Sequence, residues 1–354
     1  MQIKYLERWL KSPYPGRRRK ALRTLSKYAT QGKYKPEKIF PIAINALKND
    51  SDWQVRSSAA SSIADIALTY NQFLDDAFKT LIEKIKDESH ANVKGNIFNS
   101  LSKLIDRYDI DDLKSVYDLC LNAIKDPNSE IKHGAIRVLV SISLKQEKNL
   151  EEVLGIISDT IESLPSLIKK ETIRLLSKIY DKYPEKTKDM LSDMASRYVT
   201  SDAYLLREET LKIIAKLIKN DHINITEDLI RTLRKQLRDP KTCVKMATID
   251  AINAIWKKNI ETADLFLDII AEDILLKSKS RQLKIKTLEL LIEHIQQIPR
   301  PVINRHNLAR VLDILEYNTV PKNELLKKIK SLARILLEEK LGYTFEERKR
   351  LREQ

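Results

Sequence analysis

Residues 50–68, DSDWQVRSSAASSIADIAL, hold the pattern that decides the fold. With Arg56 as position zero, small or apolar residues stand at +3, +4, +7, +10 and +11: Ala59, Ala60, Ile63, Ile66 and Ala67. This is the 3.6-residue stripe of a helix with one buried face. The phrase returns along the chain with its base at Arg18, Arg56, Lys94, Lys132, Lys169, Arg207, Lys245 and Lys284, at gaps of 38, 38, 38, 37, 38, 38 and 39 residues. The fifth copy places Thr172, Ile173, Leu176, Ile179 and Tyr180 on the stripe, and the seventh Thr248, Ile249, Ile252, Ile255 and Trp256. Self-similarity at this period means units that stack, each burying its apolar face against the next.

Before each stripe lies another apolar-periodic segment of roughly 10 to 16 residues, as at 116–125, 225–237 and 263–276. Between the two stand helix-stopping residues: Asn49-Asp50-Ser51-Asp52, Asp126-Pro127, Ser163-Leu164-Pro165 and Asp239-Pro240. An Asp there accepts backbone N–H groups at a helix start, and Pro cannot continue the helix before it. Pro41, inside a first helix, is expected to kink it. The unit is therefore helix–turn–helix. About nine units are expected, over residues 1–33, 34–71, 72–109, 110–147, 148–184, 185–222, 223–260, 261–300 and 301–342, followed by a charged tail at 343–354. No linker or low-complexity stretch interrupts them, so residues 1–354 read as one elongated all-α domain.

The bulk numbers agree with this. The chain has 354 residues, 42% hydrophobic and 32% charged, with only 6 Gly, fewer than Gly-rich phosphate loops in an α/β protein of this size would need. Net charge is +14, and residues 1–48 hold 13 Lys and Arg against Glu7 and Glu37. That block is an electrostatic handle at one end. Cys120 and Cys243 lack metal-site spacing and read as reduced packing thiols. The longest uncharged stretches, 39–47 and 66–74, are nine residues long, far short of a membrane span. An intracellular, cytoplasmic protein is expected. Abundant Lys, Glu and Ile also suit a thermophile.

The chain resembles the HEAT-repeat family, close to the armadillo-type repeats. The resemblance rests on Asp50…Val55-Arg56…Ala59-Ala60…Ile63, repeated as Asp126…Ile131-Lys132…Ala135-Ile136 and Asp239…Val244-Lys245, and covers nearly the whole chain. It implies a right-handed α-α superhelix, a solenoid, whose second helices line a concave surface. It also implies that the turn acid and the base join repeat to repeat. Ser12, Ser163, Ser201 and Ser278 replace the turn acid, and Glu88 stands for it once, so those turns are expected to have a weaker ladder.

Two sets of residues follow. The structural ladder comprises Asp50, Arg56, Lys94, Asp126, Lys132, Lys169, Arg207, Asp239, Lys245 and Lys284, beside the apolar stripe and within reach of acids in neighbouring turns. The candidate partner or polyanion site comprises Arg17, Arg18, Arg19, Lys20, Arg23 and Lys27 in the first unit, with Arg137, Arg174, Lys178, Lys212 and Lys216 on later solvent faces, where His133 also falls. Bases at the start of a helix oppose its macrodipole, so the local fold does not favour Arg17–Lys20. The solvated face of a Lys-rich protein would look similar.

No P-loop, GxSxG, HExxH or paired CxxC occurs, and the five histidines lack partners at ligand spacing. No aromatic residue falls on an exposed position of a second helix; Trp256, Tyr180 and Phe98 lie on the stripe. Single-strand binding and base flipping need such aromatics. The expectation is a non-enzymatic scaffold that binds a macromolecule on its concave face and basic first repeat, without metal, small-molecule cofactor or membrane partner. Duplex phosphates are the first candidate and an acidic protein the alternative. A HEAT-like nucleic-acid-modifying enzyme such as a DNA glycosylase, using Asp65 or Asp250, is the third.

Overall fold

The computed structural model describes residues 3–109, 113–294 and 331. Sixteen α-helices and no strand occur among them. The helix pair expected at 301–342 and the tail at 343–354 lie outside the described residues, Ser331 apart. The chain forms two compact units, Met1–Tyr183 and Pro184–Gln354.

The N-terminal unit runs α1 (Ile3–Trp9), α2 (Pro15–Thr30), α3 (Pro36–Asn49), α4 (Trp53–Thr69), α5 (Leu74–Asp87), α6 (Ala91–Arg107), α7 (Lys114–Ala123), α8 (Ser129–Lys145), α9 (Leu150–Ile161) and α10 (Ser166–Lys182). The even-numbered helices carry the repeated base. Each of these packs on the next in series, α2 on α4, α4 on α6, α6 on α8 and α8 on α10, while α3, α5, α7 and α9 pack on their partners. The C-terminal unit holds α11 (Pro184–Tyr198), α12 (Tyr204–Lys219), α13 (Glu227–Gln236), α14 (Thr242–Lys258), α15 (Asp264–Ile269) and α16 (Arg281–His294). There α12 packs on α14 and α14 on α16. A π-helical turn, Ile270–Leu276, extends α15.

The stripes form the core. Ala59, Ala60, Ile63, Ile66 and Ala67 are buried, as are Ile173, Leu176, Ile179, Ile252, Ile255 and Trp256. Each large aliphatic side chain so placed contributes about 1.5–3 kcal/mol. Small residues set the helix spacing. A Cβ on Gly134 of α8 would stand 2.8 Å from the Phe98 Cβ and 3.0 Å from the Gly95 carbonyl oxygen of α6, so only glycine permits this approach.

Helix starts use the residues nearest the helix. Asp52, not Asp50, caps α4, accepting from the Gln54 and Val55 N–H groups, and Asn128 caps α8 in the same way. Pro15 and Pro36 open α2 and α3. Pro41 lies inside α3 on its exposed side, and the helix continues through it. Lacking an N–H, Pro41 leaves the Glu37 carbonyl without its helical donor.

Candidate functional site

Arg18, Arg56 and Arg207 share one geometry. The Nη1 of Arg56 donates to the Asp50 and Ser51 carbonyls of its own turn, at 2.9 and 3.1 Å. Its Nε and Nη2 donate to the Glu88 carboxylate of the following turn, both at 2.9 Å. Arg18 bonds the Ser12 and Pro13 carbonyls and then Asp50. Arg207 bonds the Ser201 and Asp202 carbonyls and then Asp239. One guanidinium fork thus closes its own turn and clamps the next. Burial alone would raise the Glu88 carboxyl; hydrogen bonds from Arg56 and from the His90 N–H outweigh it and bring it down to about 2. Asp50 is shifted the same way against the same cost, by Arg18 and the Asp52 N–H.

Of the lysines in the column, Lys94 faces a turn acid, whereas Lys132, Lys169 and Lys245 face Ser163, Ser201 and Ser278. Lys94 makes no ion pair with Asp126, although that acid is present in the next turn, and Lys169 reaches Glu162 of its own turn at 2.8 Å. Burial lowers the Lys284 pKa. An ammonium cannot serve carbonyls and carboxylate at once in a fixed fork. Lys132 and Lys245, like the rest of the column, are half-buried.

The residue six places before the base has a second task. Asp50, Glu88, Asp126 and Asp239 each accept the backbone N–H two residues on, at 2.7–2.9 Å. Ser12, Ser201 and Ser278 do the same through Oγ, at 3.2–3.3 Å. The serine turns therefore keep the turn bond and lack only the ion pair. Ser163 is the exception: two residues on stands Pro165, which has no N–H, and the Ser163 hydroxyl bonds back to the Thr160 carbonyl. A further link was not legible as a pattern of charge. The hydroxyls of Tyr70 and Tyr108, both fourteen places after their base, donate to the carbonyls of Ala29 and Ala67 on the preceding second helices.

The candidate binding residues separate into neutralised and bare cations. On α2, Arg17, Lys20, Arg23 and Lys27 are exposed, and none has a carboxylate partner among the described residues. Arg17 lies over the Trp9 and Tyr14 rings at 5.9 and 5.0 Å, Lys20 over Trp9 at 5.7 Å, and Arg19 donates to Gln54 at 2.6 Å. Arg18 belongs to the ladder. On α10, Arg174 pairs with Glu171 at 3.1 Å, while Lys178 is exposed. On α12, Lys212 pairs with Glu208 at 2.6 Å and lies 3.7 Å from Glu209, and Lys216 is half-buried. Arg137 on α8 is half-buried with its Nε unpartnered.

His133 is a correction. The helical wheel put it on a solvent face, but packing of α8 between α6 and α10 buries it, and burial with the Arg137 charge pushes its pKa down to about 4. Asp65 and Asp250 are tied to Lys103 and Lys286, at 3.3 and 2.6 Å. Trp256, Tyr180 and Phe98 are core residues. Among the described residues no group of acids, histidines and cysteines could hold a metal, and no helix is long and apolar enough to cross a membrane.

The α2 face borders a groove of about 730 Å³ that crosses α2, α4 and α6. Its base is α4, which shows Ser58, Ser61 and Ser62, while α2 and α6 contribute Arg23, Lys27 and Lys103; Ser61 stands at the repeat position of Arg23, and Asp65 at that of Lys27 and Lys103. In the sequence these serines are marked only by their lack of charge. Short side chains on α4 between the long ones of α2 and α6 make the recess.

The fold is shared with a solved α-solenoid. Yeast importin-beta (Kap95p) superposes with a TM-score of 0.63 at 14% identity, over 96% of this chain and 45% of that one, so the chain spans less than half of the importin's length. The karyopherin Kap121p bound to the extreme C-terminus of the protein phosphatase Cdc14p matches with a TM-score of 0.48 at 13% identity, over 96% of this chain and 38% of that one. At 14% identity the likeness to importin-beta concerns the fold alone. No curated protein matches the sequence. The model of the adaptin N-terminal region, however, matches residues 1–334, and the chain accordingly belongs to that family of non-enzymatic HEAT/armadillo-type α-solenoids.

Proposed function

We propose that the protein is a cytoplasmic adaptor scaffold that binds a protein partner of acidic character in a coat-type assembly. Family membership supports a protein partner over nucleic acid. The observation that carries the acidic character is the bare cationic face of α2, where Arg17, Lys20, Arg23 and Lys27 find no carboxylate among the described residues. Such a face steers a complementary partner and fixes its orientation. We take the whole chain as one repeat array, because the period runs without a break from Lys169 to Arg207 in the sequence.

The test is capture of a stoichiometric partner from nuclease-treated extract, with the wild type beside a variant carrying Arg17→Glu, Lys20→Glu, Arg23→Glu and Lys27→Glu. Retention by the wild type and loss by the variant is expected. Loss of the partner on nuclease treatment, with duplex DNA binding whose log K falls by about 0.9 per phosphate neutralised for each decade of salt, would replace the reading with a nucleic-acid one.

A further inference from the structure

We propose that the groove over α2, α4 and α6 seats an acid-rich, extended segment of the partner, its carboxylates turned to the α2 wall. The proposal rests on the protein-scaffold reading above and adds the place and the chemistry of recognition.

Charge decides the occupant's sign. Arg23 and Lys27 line one wall without carboxylate partners, whereas Lys103 on the opposite wall is already paired with Asp65 at 3.3 Å. The groove therefore has one bare cationic wall and one neutralised wall.

The base and walls decide its polarity. Leu68 is the only apolar side chain among the lining residues, so an apolar motif would find no anchor pocket. Hydroxyls and an amide dominate instead. The Ser26 hydroxyl lies in this lining, 4% exposed, and has no hydrogen-bond partner. The Asn96 side chain already donates to the Ser57 carbonyl and Ser61 hydroxyl, which holds the α4–α6 side of the groove in place. A peptide supplies both donors and acceptors to such a surface. A phosphate backbone supplies acceptors alone.

The experiment is fluorescence anisotropy of the full chain with a labelled short peptide of alternating Glu and Ser, beside its Gln/Ser counterpart. The Glu peptide should bind at low salt and the Gln peptide about tenfold more weakly or worse. Arg23→Glu with Lys27→Glu should lose at least about tenfold. Ser58→Trp fills the base of the groove, breaks no hydrogen bond and leaves every charge in place, and it should lose as much. Arg174→Glu on α10 should bind as the wild type does. Thermal melts establish that each variant is folded, and Ser58→Leu serves if the Trp variant is not. Unchanged binding by the groove-filling variant, equal binding of the Gln peptide, or displacement by duplex DNA at equal charge would overturn the proposal. If the Glu peptide fails to bind while the nuclease-resistant partner is still captured, the groove assignment falls and the scaffold reading stands.

Discussion

In α2, Arg18 joins the Ser12 and Pro13 carbonyls to Asp50; in α12, Arg207 joins the Ser201 and Asp202 carbonyls to Asp239. The likeness extends to the far end. Fourteen places after the base each helix terminates in a left-handed residue, Gly32 with φ of 71° and Asp221 with φ of 60°, whose following N–H returns to a carbonyl in the last turn. The solvent faces then part. Lys212 on α12 is neutralised by Glu208, whereas the cations of α2 have only aromatic rings and a glutamine beside them. Identical internal joints with different outer faces mean that stacking and recognition are carried by separate positions of one repeat.

The largest effect should come from breaking the joint. Arg207→Met leaves Asp239 buried and unpaired and should cost about 3 kcal/mol, read as a fall in denaturation midpoint. Arg18→Met should cost less, because the Arg18–Asp50 pair is the more exposed of the two. If Arg207→Met behaves like a surface substitution, the ladder is not what joins the repeats.

Acid should weaken the N-terminal unit next. His133 is held neutral to about 4 in the folded protein but takes a proton near 6.5 when unfolded. Unfolding therefore gains protons as pH falls from about 6.5 to 4, and stability drops by up to about 3 kcal/mol across that window. Glu88 acts lower. Its folded value near 2 means that its contribution is complete above about 4.5 and is lost as pH falls toward 2. His133→Gln should flatten the upper part of the stability–pH curve and leave the lower part unchanged.

Charge reversal separates the two outer faces. Arg23→Glu with Lys27→Glu should reduce partner affinity about tenfold, near 1.4 kcal/mol, with little change in stability. Lys212→Glu should do the reverse, costing under about 1 kcal/mol of stability through repulsion from Glu208, with binding untouched. A loss of binding in Lys212→Glu would show that α12 also meets the partner.

The smallest effect repairs a joint. Asp126 already stands in the turn facing Lys94 without an ion pair. Lys94→Arg should complete the fork and raise stability by roughly 0.5–1 kcal/mol. No gain would mean that the α6–α8 approach at Gly95 and Gly134 leaves no room for it.

Most of the fold was legible because burial in a stacked helix is periodic. The residues at +3, +4, +7, +10 and +11 of the second, fifth and seventh copies are in the core. His133 was misplaced because a wheel sees one helix at a time, and α10 covers the side that α8 alone would expose. The candidate site was legible as charge and not as shape. Arg17, Lys20, Arg23 and Lys27 could be named from the sequence, but whether a cation is bare depends on acids that other helices bring to it.

The sequence by itself determined the helix pair, its period and the residues that face inward, since these follow from local periodicity and turn chemistry. It also placed the excess charge in the first 48 residues. Only the tertiary structure decided which bases are joints and which are free, that Arg18, Arg56 and Arg207 close joints where Lys94 does not, and that a row of serines is the base of a groove. Those outcomes depend on distances between side chains about 32 to 38 residues apart in the chain, which stacking sets and no local pattern encodes.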